Sequence, residues 1–79
     1  MPPLDLRGLK CPLPALLARR ALMRAEAGTP LGVLADDPLA AIDIPHMCSQ
    51  EGYEVLDVEK HAAHMRFVVR RPLTGTRRR

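Results

Sequence analysis

The chain has 79 residues, which is the size of one small domain. Aromatic residues make up 3% of the sequence, so there is little of the aromatic surface on which single-stranded nucleic acids stack. The net charge is +3, but five arginines near the C-terminus contribute +5 and leave the rest of the chain at −2. They are Arg70, Arg71, Arg77, Arg78 and Arg79. We therefore expect no direct nucleic-acid binding, and we divide the chain into one domain over residues 1–72 and a basic, disordered tail over residues 73–79.

The two cysteines, Cys11 and Cys48, do not form a disulfide framework, and their spacing matches no zinc-binding pattern. The N-terminal sequence MPPLDLRGLK lacks the apolar segment of a signal peptide, and no apolar run approaches membrane-spanning length. These features predict a cytoplasmic protein whose thiols stay reduced. We expect it to be a monomer without a metal, a cofactor or a membrane association.

The first half of the chain predicts a strand, a helix and a second strand. Residues 4–6 alternate between apolar and polar side chains, which is typical of a short strand. The first helix is predicted to follow Cys11 and to run to about residue 27, because Gly28 is the kind of residue that ends a helix. Residues 31–35, LGVLA, form a short apolar run that predicts a strand buried on both faces and therefore central in its sheet.

The second helix is predicted over residues 38–50. Asp37 is a typical N-cap residue, and Pro38 is favoured at the first helical position. Pro45 removes one backbone donor, so a kink is expected there. Apolar side chains recur at helical spacing and include Cys48, which we therefore interpret as an inert packing residue.

A hairpin is predicted to end the domain. Its strands are residues 53–59 and 65–70, and Tyr53, Val55 and Val58 are expected to face the core. The order strand, helix, strand, helix, strand, strand implies a right-handed crossover with a parallel pair, followed by antiparallel pairing. We predict an α/β fold, more specifically an α+β two-layer sandwich of βαβαββ order. Its four-stranded mixed sheet carries both helices on one face.

The first helix has two apolar sides, of which one carries no charge and is predicted to pack on the sheet. This uncharged side consists of Ala15, Ala18, Leu22 and Ala25. Leu13 and Leu17 lie on the other side with Arg20, close to Cys11. An exposed apolar cluster beside a reactive group predicts a docking surface for a partner protein. The alternative is that these leucines cover a sheet edge or a loop.

The thiol of Cys11 is the candidate reactive group. It lies at the start of a helix, where free backbone donors such as the amides of Leu13 and Ala15 and the helix dipole favour a thiolate. We therefore expect its pKa to lie below the ordinary value of about 8.5. Neighbouring basic residues add positive charge, a glycine allows the turn and two prolines fix the backbone. These supporting residues are Arg7, Lys10, Gly8, Pro12 and Pro14. The combination indicates a nucleophile or a sulfur carrier.

Other thiol chemistries fit the sequence less well. No second cysteine stands at the C-x-x-C spacing of a dithiol cycle. His46, His61 and His64 are interpreted as surface residues, because nothing places them at the thiol. Metal binding by His46 with Cys48 is disfavoured, since residues i and i+2 of a helix diverge. A redox pair of Cys11 and Cys48 would have to join an exposed helix start to a core position.

The segments LDLRGLKCPLPALLARRAL and LADDPLAAIDIPHMCSQEGYEVL resemble the TusA/SirA-like family of small sulfur-carrier proteins. The resemblance covers about residues 4–71. It rests on a glycine and a C-P-x-P motif after the first strand, and on acidic, proline and glycine positions at the second helix. These residues are Gly8, Cys11, Pro12 and Pro14, then Asp36, Asp37, Pro38, Asp43, Ile44, Pro45 and Gly52. The resemblance implies a βαβαββ fold.

The resemblance also implies that Cys11 accepts sulfane sulfur as a persulfide from a cysteine desulfurase or a rhodanese-like donor and passes it to an acceptor protein. The sulfur ends in 2-thiouridine of tRNA in the best-known branch, and in molybdenum-cofactor synthesis or sulfur oxidation in others. Leu13 stands where the tRNA-thiolation branch often has Glu, which leaves the acceptor open. Two hypotheses remain: a sulfurtransferase that carries persulfide without a cofactor, and a non-catalytic regulatory or binding module in which Cys11 is only structural.

Overall fold

Six elements follow one another along residues 3–73, the part of the chain that the computed structural model describes. They are β1 (Leu4–Asp5), α1 (Leu13–Arg24), β2 (Leu31–Ala35), α2 (Ala40–Glu51), β3 (Glu54–Lys60) and β4 (Met65–Arg70). The predicted βαβαββ order is confirmed. The predicted tail, residues 73–79, lies outside the described residues except for Leu73. Among residues 3–73, neither helix is long and apolar enough to cross a membrane.

The four strands form one mixed sheet in the order β1-β2-β4-β3. β1 and β2 are parallel and are joined through α1, whereas β4 pairs antiparallel with both β2 and β3. β2 therefore occupies the interior of the sheet, as its apolar sequence predicted. Because β1 and β2 are parallel neighbours, their carboxyl ends meet at the same edge of the sheet.

Both helices pack on one face of the sheet, and the core lies between the two layers. The inward residues of the two central strands alternate along the chain, as the geometry of a strand requires. The core residues of the sheet and helices are Leu6, Ala18, Leu22, Val33, Ala35, Ala40, Ile44, Met47, Cys48, Phe67 and Val69. The prediction that β2 is buried on both faces is wrong, because Gly32 and Leu34 point to the face without helices and stay partly exposed.

β3 lies at an edge of the sheet and is exposed along its whole length. Val55 pairs with Val69 and Val58 with Phe67, so both valines lie on the same side of the sheet as these buried partners. They remain 37% and 45% exposed, because the helices cover the central strands rather than this edge. The prediction that Val55 and Val58 face the core is therefore wrong about their burial. Tyr53, just before β3, packs partly against the core.

α2 begins two residues later than predicted, and α1 ends earlier than predicted. α1 ends at Arg24 because Ala25 adopts an extended conformation, with ψ of 157°. Gly28 forms the following turn instead, with φ of +85°, and a Cβ there would lie 2.6 Å from Cγ of Leu73. α2 continues through Pro45 to Glu51 and is closed by Gly52, which has the left-handed conformation predicted for a C-terminal glycine.

The arginines at the end of the sheet do not belong to a free basic tail. Nε of Arg70 donates a hydrogen bond to Glu54 on the neighbouring strand, at 2.5 Å. The Arg71 guanidinium donates to the carbonyl oxygen of Ala25, at the end of α1. These two positive charges are therefore engaged in contacts of the folded domain. The three arginines of the predicted basic tail, residues 77–79, lie outside the described residues.

Candidate functional site around Cys11

Cys11 lies in the turn that leads into α1 and is exposed. The turn is closed by the amide of Leu13, which donates to the carbonyl oxygen of Lys10 at 2.8 Å. Pro12 is the N-cap residue of α1, the bond between Cys11 and Pro12 is cis, and Pro14 is buried in the first turn of the helix. The predicted position of Cys11 at the start of the first helix is thus confirmed. One of the two amides expected to remain available to the sulfur, that of Leu13, is already occupied by a backbone oxygen.

Two aspartates that follow β2 hold the Cys11 turn in place. The backbone N–H of Cys11 donates to Oδ2 of Asp37 at 2.5 Å, and that of Leu39 donates to Oδ1 of the same carboxylate at 3.1 Å. These two hydrogen bonds hold the pKa of Asp37 below its usual value. The backbone N–H of Gly8 donates to Oδ1 of Asp36 at 2.9 Å. Both ends of the segment from Gly8 to Cys11 are therefore tied to the loop between β2 and α2.

The thiol itself contacts a third carboxylate. Sγ of Cys11 donates a hydrogen bond to Oδ2 of Asp43, in the first turn of α2, across 2.7 Å. This hydrogen bond raises the pKa of Cys11 above its ordinary value, and partial burial and the negative charges of Asp43 and Asp37 act in the same direction. The prediction of a lowered pKa for Cys11 is therefore wrong. The carboxylates responsible come from α2 and from the loop before it.

The basic residues expected to support the thiolate are engaged elsewhere. Nε and Nη2 of Arg7 donate to the carboxylate of Asp5 at 2.9 and 2.8 Å. This hydrogen bonding lowers the pKa of Asp5 to about 2. The charge of Lys10 acts on Asp37 and helps to lower the pKa of that carboxyl. Neither cation is among the groups that shift the pKa of Cys11. Gly8 keeps its predicted role in the turn, with φ of +88°.

The predicted docking residues fall into two sets. Leu13 is 45% exposed beside Cys11, and Leu16, one turn further along α1, is 52% exposed. Leu17 instead packs partly against the core and lines an open groove of about 300 Å³ between α1 and β1. The groove is lined by Leu4, Leu6, Leu17, Arg20, Ala21 and Arg24. The exposure of Leu13 is thus consistent with the predicted docking surface. Leu17 instead covers the edge of the sheet, as the alternative interpretation expected.

The second cysteine and the histidines do not contribute to this site. Cys48 is 1% exposed in the core, and burial raises its pKa to about 11. Nε2 of His61 donates a hydrogen bond to Oε1 of Glu59 at 3.2 Å, and the His61 ring stacks on His64 in the loop between β3 and β4. His46 is exposed on α2. Within residues 3–73 no group of three or more histidine, cysteine, aspartate or glutamate residues could hold a metal ion.

Comparison with known proteins shows to which family this βαβαββ chain belongs. The model of the family described as "Sulfurtransferase TusA" matches residues 3–71. The chain belongs to the TusA family. One similar TusA-like relative is a "Putative sulfur carrier protein" of Archaeoglobus fulgidus, 41% identical over 71 residues that cover 89% of this chain and 92% of the relative. The crystal structure of a SirA-like protein from Desulfitobacterium hafniense matches with a TM-score of 0.74 and 28% identity, covering 87% of this chain and 95% of that one.

The three aspartates around Cys11 are the part of this TusA-family site that the sequence prediction did not assign. Asp36 and Asp37 follow the end of β2, which lies beside the end of the parallel strand β1. That position was an available signal, because the carboxyl ends of neighbouring parallel strands are where sites commonly form. Asp43 was among the positions that carry the family resemblance, but no feature of the sequence linked it to Cys11. Its contact with Cys11 spans 32 positions and depends on how α2 packs beside α1.

Proposed function

We propose that this TusA-family protein carries sulfane sulfur as a persulfide on Cys11, between a donor protein and an acceptor protein. The chain belongs to a sulfur-carrier family and has two thiols. The observation that carries the proposal is the difference in exposure between these two thiols. Cys11 is exposed at the surface, whereas Cys48 is buried in the core. Only an exposed sulfur can meet the cysteine of another protein, so the carrier role falls to Cys11.

The loading step is a thiol exchange that needs no external oxidant. The sulfur of Cys11 attacks the outer sulfur of a persulfide on the donor protein, and a new S–S bond forms. The S–S bond of the donor breaks, and its electron pair leaves on the donor cysteine, which takes up the proton that Cys11 has lost. The carrier now holds the persulfide and the donor holds a thiol. Attack by an acceptor thiolate on the outer sulfur repeats the exchange and returns Cys11 to its starting state.

Exposed apolar side chains around Cys11 are suited to contact with a donor or acceptor. Leu13 and Leu16 project from the first turns of α1, and Leu39 and Ile42 precede Asp43 at the start of α2. Large apolar side chains gathered near a reactive group are typical of a protein-binding surface. We propose a cysteine desulfurase or a rhodanese-like protein as donor. The acceptor belongs to tRNA 2-thiouridine formation, molybdenum-cofactor synthesis or sulfur oxidation, with the carrier acting as a monomer in the cytoplasm.

Mass spectrometry of the intact protein tests the carrier role. The reduced protein is incubated with a cysteine desulfurase and cysteine, together with Cys11→Ser and the matched control Cys48→Ala. The natural sequence and Cys48→Ala are expected to gain the mass of one or more sulfur atoms, and Cys11→Ser none. A second donor, a rhodanese-like protein with thiosulfate, is tested in the same way. If folded protein gains no sulfur from either donor, or if Cys11→Ser gains as much, the proposal is wrong and the non-catalytic module is favoured.

A further inference from the structure

The contact between Cys11 and Asp43 joins two segments that the fold brings together. Sγ of Cys11 and Oδ2 of Asp43 are 2.7 Å apart, so the thiol proton points at a carboxylate. Asp43 lies in the first turn of α2, where the positive end of the helix dipole favours a negative side chain. The backbone of Cys11 is held independently by Asp37, so the sulfur is kept beside Asp43 by a second contact.

The charged groups around the thiol are mainly acidic. Asp43 reaches it from α2 and Asp37 from the loop before α2, and both carboxylates disfavour a negative charge on the sulfur. Lys10, the neighbour of Cys11 in sequence, exerts its influence on Asp37. Arg7 is bound to Asp5, and Asp36 accepts the amide of Gly8. His46 follows Asp43 by three positions on α2 and is exposed. The thiolate and the persulfide anion would therefore both lie against negative charge.

We infer that Asp43 determines the specificity of Cys11 by holding it as a neutral thiol in the free carrier, so that small electrophiles react slowly and protein donors are preferred. A docked protein can hold a hydrogen-bond donor against Asp43 and so free the sulfur, whereas a small electrophile in solution is not held at Asp43 by any other contact. The proton of Cys11 then leaves to Asp43 or to water, and the donor cysteine takes up a proton after the S–S bond has been exchanged. The selectivity for protein donors rests on the proposed carrier function, whereas the control of protonation by Asp43 does not.

The protonation part is tested by alkylation of the full chain with iodoacetamide between about pH 6 and about pH 11. The rate at Cys11 is followed by mass spectrometry for the natural sequence, Asp43→Asn and the matched control Asp57→Asn. Asp57 is exposed on β3, at the opposite edge of the sheet from β1, and its substitution removes the same charge. An asparagine at position 43 can donate to a thiolate, so the midpoint of the rate profile should move to lower pH. A shift of half a unit to one unit raises the rate at neutral pH about threefold to tenfold.

The outcomes separate the inference from the proposed function. The plateau rate at high pH should be unchanged in Asp43→Asn, and Asp57→Asn should follow the natural sequence throughout. Asp43→Ala, checked for folding by its thermal melt, should shift the midpoint in the same direction. Coincident midpoints for the natural sequence and both Asp43 variants would overturn the inference.

The selectivity part is tested by loading from the desulfurase at neutral pH. The loading rate of Asp43→Asn should rise by a smaller factor than its alkylation rate, because a docked donor already frees the thiol in the natural protein. An equal rise in both rates would overturn the claim of specificity. If neither the natural sequence nor Asp43→Asn is loaded, the proposed carrier function fails. The alkylation midpoints still decide whether Asp43 keeps Cys11 in its neutral thiol form.

Discussion

At the scale of single residues, the environment of Cys11 is set by side chains that are distant in sequence. Asp37 and Asp43 lie 26 and 32 positions away, yet they hold the amide and the thiol of Cys11. The local features of the turn, a helix start and two nearby cations, would have favoured a thiolate. The pKa of Cys11 is instead raised, first by the hydrogen bond from its thiol to Asp43 and further by desolvation and by the negative charges of Asp43 and Asp37.

The two leucines that the sequence placed on the same side of α1 should respond differently to substitution. Leu13→Ser should change the free energy of unfolding by no more than about 0.5 kcal/mol, because the side chain is exposed. Leu17→Ser should cost roughly 1–2 kcal/mol, about half of a fully buried large-to-small change, because Leu17 packs partly on the core. Urea unfolding of both variants measures these values. Equal costs would contradict the division of the leucines into two sets.

Sulfur loading gives the complementary measurement for the same pair. Loading by the donor should fall in Leu13→Ser, since an apolar contact beside Cys11 is removed. It should be unchanged in Leu17→Ser at a temperature where that variant is folded. A larger loss in Leu17→Ser would place the docking surface at the groove beside β1 instead.

At the scale of elements, the periodicity of the sequence predicted each helix and strand, but not which strand the helices leave uncovered. Val58 and Phe67 are register partners on one side of the sheet, and only Phe67 is completely buried. Alternation predicts the direction of a side chain, whereas burial depends on what lies above it. The exposed edge strand β3 carries charged side chains and a bulge between Val55 and Asp57, both of which discourage pairing with another chain.

Substitution of Val58 and of Phe67 should show that the two register partners are buried to different extents. Phe67→Ala should lower the free energy of unfolding by about 3–5 kcal/mol. For a domain of this size, that loss is enough to leave most of the molecules unfolded. Val58→Ala should cost less than about 1 kcal/mol, since its side chain is 45% exposed. Thermal melts followed by circular dichroism provide the comparison. A cost for Val58→Ala close to that of Phe67→Ala would mean that β3 is covered in solution.

At the scale of the whole molecule, much of the fold and only part of the site could be predicted from the sequence. Gly52 closed α2 as expected and the C-P-x-P segment began α1, because such signals act over a few residues. Gly28 was misassigned, since the extended conformation of Ala25 ends α1 before it. The contacts of Asp37 and Asp43 with Cys11 form only when α1 and α2 lie side by side on the sheet. No local pattern specifies that arrangement.

The buried thiol of Cys48 should make the stability of the whole domain sensitive to alkaline pH. Its pKa is raised from an ordinary value near 9 to about 11, because burial disfavours the thiolate. A group whose pKa is raised on folding stabilises the native state below its unfolded pKa, and that contribution is lost as pH rises through the folded pKa. We therefore expect roughly 1 kcal/mol to be lost between pH 8 and pH 10.

Urea unfolding at a series of pH values, for the natural sequence and for Cys48→Ala, measures this contribution. Other groups that titrate in the same range are common to both proteins and cancel in the comparison. The decline should be shallower in Cys48→Ala. Parallel declines would show that Cys48 does not titrate differently in the folded and unfolded protein.

The distance in sequence between Cys11 and Asp43 also has a consequence during protein synthesis. Cys11 leaves the ribosome well before Asp43 has been added to the chain, since 32 positions separate them. Until the second helix is complete and packed, the sulfur has the acidity of an ordinary exposed thiol and forms more thiolate at neutral pH than it does in the native protein. Newly made and transiently unfolded chains are thus more open to oxidation at Cys11 than folded ones, and the native structure protects this thiol.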